Sequence, residues 1–207
     1  MALSLVGVGA KITAAITNAI IGVVNAQGMT SVIPTSVAGS GVSVGAAGKV
    51  TFTAATTISL NGCFTSTYEN YLVVFNSPTA SVSNALNIRF RAAGTDDTTA
   101  NYDAQGTNAA GATVTSFQNL AGTSVGLDGV VATIRDAEMF IIGPALAAPT
   151  RGESKMKSTT NPMTGATAAK KEQMILHRSS TPFDGFTIIV STGTATGTIR
   201  VYGYNNE

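Results

Sequence analysis

His177 is the single histidine in 207 residues, so a nucleophilic mechanism built on an imidazole base would have to run through it. It stands in Ile175-Leu176-His177-Arg178-Ser179, where the adjacent Arg178 cation opposes protonation. The setting is that of a strand-end histidine held by its surroundings. Asp96, Asp97 and Asp103 fall together in Gly94–Ala112, GTDDTTANYDAQGTNAAGA. Carboxylates in a loop can ligate Ca²⁺, but the spacing is not that of an EF-hand and Asp is also an ordinary turn former, so no metal is assigned. A glycosidase needs two carboxylates across a cleft, and Asp103 with Glu153 or Asp136 is the pairing left open. Cys63 has no second cysteine to bridge and reads as a small buried filler. The chain has no P-loop, dinucleotide fingerprint or paired-cysteine motif, so no catalytic residue and no cofactor is assigned.

Sugar recognition asks for an exposed aromatic ring beside polar hydrogen-bonding groups. Tyr102 with Asn101, and Tyr68 with Asn70, have the right composition, although the chain lacks Trp. Residues 94–112 read as one long polar loop, and loops of that length are commonly functional. Asp96, Asp97, Asn101, Tyr102 and Asp103 are therefore the candidate receptor or glycan group. Arg89 and Arg91 share one face of a strand and read as solvated or paired.

Elements must position these groups, and the composition says which kind. Only 11% of residues are charged, and 22 Gly accompany abundant Thr, Ser and Ala. Short polar β-formers in place of Lys and Glu predict a β protein. The net charge of +1 gives no electrostatic reason for nucleic-acid binding. It also leaves little repulsion to oppose association.

From Lys49 onward, β-branched and aromatic runs recur between turn signals. Val50–Ala54, Thr57–Leu60, Tyr71–Phe75, Ala85–Arg91, Ala137–Ile142, Ser154–Ser158 and Gln173–His177 are expected strands. Tyr71–Phe75 reads as buried on both faces, and Leu86, Ile88 and Phe90 share one face. Thr113–Phe117 and Val130–Ile134 are weaker, and Ala166–Met174 is a strand with a short helix as the alternative. Phe186–Val190 and Thr198–Tyr202 flank a Gly-rich turn and predict a terminal hairpin, with Ile199 and Val201 inward and Arg200 and Tyr202 outward. About eight such strands without a long helix predict an antiparallel β-sandwich of jelly-roll type over residues 49–207.

Ahead of it, residues 1–27 carry Ile12, Ile16, Ala19, Ile20, Val23 and Val24 at helical spacing. A signal peptide, a membrane span and an assembly helix compete for this pattern. Thr13, Thr17 and Asn18 interrupt the run too early for a span of ~20 residues, so no membrane insertion is expected. An anchor segment packing on copies of itself or on a partner is the expectation. Residues 28–48, Gly/Ser-rich with Pro34, read as an extended connector.

One resemblance joins these pieces. Leu60-Asn61-Gly62-Cys63-Phe64, Tyr68-Glu69-Asn70-Tyr71, Ile88–Gly94 and Ala100-Asn101-Tyr102 are followed by Ile142-Gly143-Pro144-Ala145, Phe183–Phe186 and Gly197–Tyr204. In pattern and order they resemble the C-terminal β domain of small virion fibre and tail proteins of tailed bacteriophages, over roughly residues 55–207. The resemblance implies a non-enzymatic tail or head fibre component on the particle surface, commonly a homotrimer. It would be joined to other virion proteins through residues 1–48 and would meet a host surface glycan or receptor with its β domain. A capsid decoration or baseplate connector without a receptor role is the first alternative, and a carbohydrate-binding module the second.

Overall fold

Alternating burial along the chain is what turns the predicted runs into two packed layers. The computed structural model describes residues 28–128, 134–159 and 168–204, so the helical stripe of residues 1–27 and most of Val130–Ile134 lie outside the described residues. Sixteen strands follow one another, with no helix among the described residues. They are β1 (Met29–Val32), β2 (Ser36–Ala38), β3 (Val42–Val44), β4 (Val50–Ala55), β5 (Thr57–Asn61), β6 (Asn70–Ala80), β7 (Leu86–Ala92) and β8 (Thr95–Asp96). The second half contributes β9 (Tyr102–Ala110), β10 (Thr113–Gly122), β11 (Val125–Gly126), β12 (Ile134–Ile142), β13 (Thr150–Thr159), β14 (Ala168–His177), β15 (Gly185–Val190) and β16 (Ala195–Tyr204).

The larger sheet has ten strands in the order β10-β9-β14-β13-β12-β6-β16-β4-β3, with β1 also on β16. The smaller has six in the order β11-β7-β15-β5-β2, with β8 on β7. Every pairing is antiparallel. The sheets face each other as a β-sandwich, and their inner faces meet in one core that includes Phe52, Ile58, Tyr71, Phe75, Ile88, Phe186 and Ile199. Phe52 stacks on Phe75, and Phe64, after β5, bridges the layers by packing on both Tyr71 of the large sheet and Phe186 of the small one.

Four expectations change. Phe186–Val190 and Thr198–Tyr202 are strands, but they form no hairpin: β15 pairs with β5 and β7, whereas β16 pairs with β1, β4 and β6. Both strands bury an apolar face against the same core, so the turn between them crosses from one sheet to the other. Ile199 and Val201 are buried and Arg200 and Tyr202 are not, as the alternation requires. Tyr71–Phe75 is buried on one face only, with Leu72 and Val74 half-buried on the outer side. Residues 28–48 are extended but do not stand apart: β1 pairs with β16, β2 with β5 and β3 with β4.

The fourth concerns residues 94–112, which are not one loop. Thr95–Asp96 is β8, and Tyr102–Ala110 runs as β9 between β10 and β14. Thr107 is the one β-branched residue of β9, so propensity misses the strand; pairing on both sides makes it. Gly106 is needed at this point, because a Cβ there would sit 1.9 Å from the Glu172 carbonyl oxygen.

Candidate functional site

The five residues expected to face a receptor are brought together by β8, β9 and the turn between them, and each is engaged within the fold. Asp96 forms an ion pair with Arg91 and accepts a hydrogen bond from Thr187 Oγ1 at 2.6 Å. Arg91 also reaches Asn61 Oδ1 at 2.9 Å, Ser59 Oγ at 3.2 Å and the Gly94 carbonyl, which closes the β7–β8 turn over the outer face of the small sheet. The expectation that Arg91 is paired is met.

Asp97 Oδ1 accepts from the Thr99 amide at 2.8 Å and the Thr99 hydroxyl at 2.5 Å, while Oδ2 lies 3.2 Å from His177 Nε2. Burial pushes the Asp97 carboxyl up, but the two Thr99 bonds and His177 outweigh it and hold it below the usual carboxylate range. Asn101 donates to Thr99 Oγ1 at 2.9 Å, and its carbonyl accepts from the Arg178 amide at 3.0 Å. Asp103 takes the Ala121 amide at 2.8 Å and lies 3.2 Å from Arg178 Nε.

Tyr102 is not a sugar platform. Its ring is buried and stacks on Phe90, and its hydroxyl accepts from the Phe90 amide at 2.9 Å and donates to the Asp97 carbonyl at 3.0 Å. Burial pushes its phenol well above the usual range, so it stays protonated. Tyr68 likewise packs edge-on against Tyr71.

His177 ends β14 fully buried, its ring edge-on to Tyr102 at 4.5 Å, Phe183 at 4.8 Å and Phe90 at 6.0 Å. Among the described residues no hydroxyl or thiol bonds to either ring nitrogen. Burial lowers the pKa of His177 and Arg178 adds to that, while Asp97 and the Ser179 backbone pull the other way. The folded state therefore binds the proton less well than the unfolded chain, whose histidine titrates near ~6.5. The resulting stability is present above that value and is lost as pH falls towards the lowered folded pKa. Urea unfolding of the wild type should show this loss on going from about pH 7.5 to about pH 5, and His177→Phe should flatten that part of the profile.

The carboxylates considered for glycoside cleavage are distributed over the outer face of the large sheet. Asp136 lines one groove with Lys155 and Lys157, Glu153 a second with Gln105 and Met174, and Asp103 a third with Leu120 and Leu176. Asp136 also accepts a hydrogen bond from the Asn76 side-chain Nδ2. Cys63 is fully buried and burial raises its thiol pKa far out of the reactive range.

Sequence reasoning missed a polar layer inside the sandwich. Arg135 on β12 and Asp128 form a buried pair at 3.0 Å, and Asp128 also accepts from the Leu86 amide at 2.5 Å. Burial pushes the Asp128 carboxyl up, against the pull of Arg135, the Leu86 amide and Lys171. Lys171 on β14 donates to the Gly126 carbonyl at 2.6 Å and stands 4.4 Å over the Phe117 ring, its pKa lowered by burial to about 8. Gln173 donates to the same carbonyl at 2.9 Å and to Ser154 Oγ at 3.0 Å. The signal was available: Arg135 has the parity of Ala137 and Met139, and Lys171 that of Gln173 and Ile175, all inward-facing.

Comparison with known proteins adds little to this geometry. No family model matches the chain, and no curated protein matches it. A solved structure of a protein of unknown function from Shewanella oneidensis MR-1 aligns over 86% of this chain and 80% of its own, at 11% identity and a TM-score of 0.24. That level of similarity carries no functional argument.

Proposed function

We propose that this chain is a non-enzymatic structural subunit of a bacteriophage particle, anchored by residues 1–27 and presenting its sandwich at the particle surface. The observation that supports it most is the engagement of the polar cluster Asp96, Asp97, Asn101, Asp103 and His177 in bonds that tie β8 to β7 and tie the β8–β9 turn and β9 to the end of β14. Groups so occupied serve rigidity better than chemistry. The residue pattern shared with virion fibre and tail proteins supports the particle setting, and the apolar stripe Ile12, Ile16, Ala19, Ile20, Val23 and Val24 supports the anchor. With Tyr102 buried and the aspartates bonded internally, assembly is better supported than receptor capture by residues 94–112.

The experiment is mass spectrometry of purified particles, with wild-type chain and with Ile16→Asp. The chain should be a stoichiometric particle component. Ile16→Asp should be lost from particles at least tenfold, as expected if burial of a large aliphatic contributes about 1.5–3 kcal/mol, while the circular dichroism of its sandwich is unchanged. A chain absent from particles would overturn the reading.

A further inference from the structure

β10 ends the ten-stranded sheet, and its outer edge has no neighbour among the described strands. Natural sheets protect such edges by keeping them short, charged, or interrupted by Pro. The other free edges among the described strands are short: β1 has 4 residues, β3 and β2 have 3 each, and β11 and β8 have 2. β10 breaks this rule in length and composition, and its register shift against β9 is confined to the end between Asn119 and Gly122. It is 10 residues long, TVTSFQNLAG, without a charged residue or a proline, and with eight of its ten positions exposed. Val114 and Leu120 on its outer face are 70% and 63% exposed.

We propose that the β10 edge is a two-fold interface in which a second copy of this chain adds its own β10 antiparallel to the first. Pairing about Phe117 keeps side chains of one face together, since residues whose numbers differ by an even count share a face. That register sets Val114 opposite the partner's Leu120 and Ser116 opposite the partner's Gln118, with Phe117 opposite its own counterpart on the inner side. The two exposed apolar residues thus cover each other twice, and the aromatic pair closes the centre. Phe117 is fixed for this role by the Lys171 ammonium 4.4 Å from its ring. Because β10 is uncharged, the two copies meet without a like-charge pair. The seam also continues inward: Leu120 shares a groove with Met174, itself 66% exposed, and with Leu176. An isologous contact of this kind uses up the edge and cannot propagate into fibres.

The test uses the full chain in sedimentation velocity across a concentration series, with Val114→Lys/Leu120→Lys and Val114→Lys/Leu120→Glu. Wild type should show a step in which mass doubles. The double-lysine variant places like charges opposite each other twice and should weaken that step on the order of tenfold or more. The Lys/Glu variant restores opposite charges in this register and should regain it. All three should unfold at similar temperatures, because both positions are exposed. A wild type without the doubling step, a double-lysine variant that keeps it, or a Lys/Glu variant that fails to regain it would each overturn the interface. The outcome is separate from the particle reading: a chain that doubles but is missing from particles overturns only that one, and the reverse result overturns only this one.

Discussion

Asp128→Ala should lower the unfolding free energy by about 3–5 kcal/mol, the range for removing one partner of a buried ion pair. Asp128 and Arg135 have side chains 1% and 0% exposed, and water cannot replace what is lost. The Leu86 amide also loses its acceptor, and a buried donor without one costs about 1–3 kcal/mol of that total. The effect does not stay local, because Asp128 also faces Lys171, whose proton it helps to hold. Replacing the pair together, Asp128→Leu/Arg135→Met, should cost less than half as much as the single change, since the Arg135 charge is then no longer left inside without Asp128. Urea unfolding of the three proteins measures both quantities. A single variant costing less than about 1 kcal/mol would mean that the polar layer does not hold this end of the sandwich.

Gly197→Ala should cost about 3 kcal/mol, at the upper end of overpacking effects. Gly197 sits in β16 between β4 and β6, beside the register shifts on both sides. A Cβ there would lie 2.0 Å from the Asn76 carbonyl oxygen, 2.8 Å from the Ser77 Cα and 2.8 Å from the Phe52 ring. Two of those neighbours are backbone of a paired strand and cannot yield without breaking the ladder. Gly111 provides the contrast: its φ is 57° but nothing lies within 4 Å of its added Cβ, so alanine there should cost only about 1 kcal/mol, from the backbone conformation. Thermal unfolding of the two variants in parallel separates lack of space from lack of conformational freedom. Equal effects would remove the packing argument at Gly197.

The strands legible in the sequence were those whose own side chains favour a pleated, half-buried surface. Leu86, Ile88 and Phe90, or Ile199 and Val201, announce their face by period-two alternation, and the all-β sandwich follows from several such runs. What escaped was structure made by partners. β9 is a strand because β10 and β14 hydrogen-bond to it, and Tyr-Asp-Ala-Gln-Gly-Thr-Asn-Ala-Ala has no local signal to say so. The sheet to which β15 and β16 each belong was hidden for a related reason: adjacent apolar strands look like a hairpin whether they pair or only share a core. At the candidate site, the sequence placed Asp96, Asp97 and Asp103 close together along the chain. It did not show that His177, Arg178 and Thr187 would meet those carboxylates, since those contacts span up to 91 positions along the chain.

The place of β16 bears on how the protein can be made. This strand lies between β4 and β6 and also carries β1, with Met29 opposite Tyr204. On a ribosome, β1, β4 and β6 emerge first and have no shared neighbour until the last described residues leave the exit tunnel. The apolar faces of Phe52, Val73 and Phe75 therefore wait for β16 before the large sheet can close over them. Closure of the large sheet waits for β16, and loop-closure entropy over nearly the whole described chain sets its pace. A nascent chain stalled before Ala195 is a natural client for a holding chaperone.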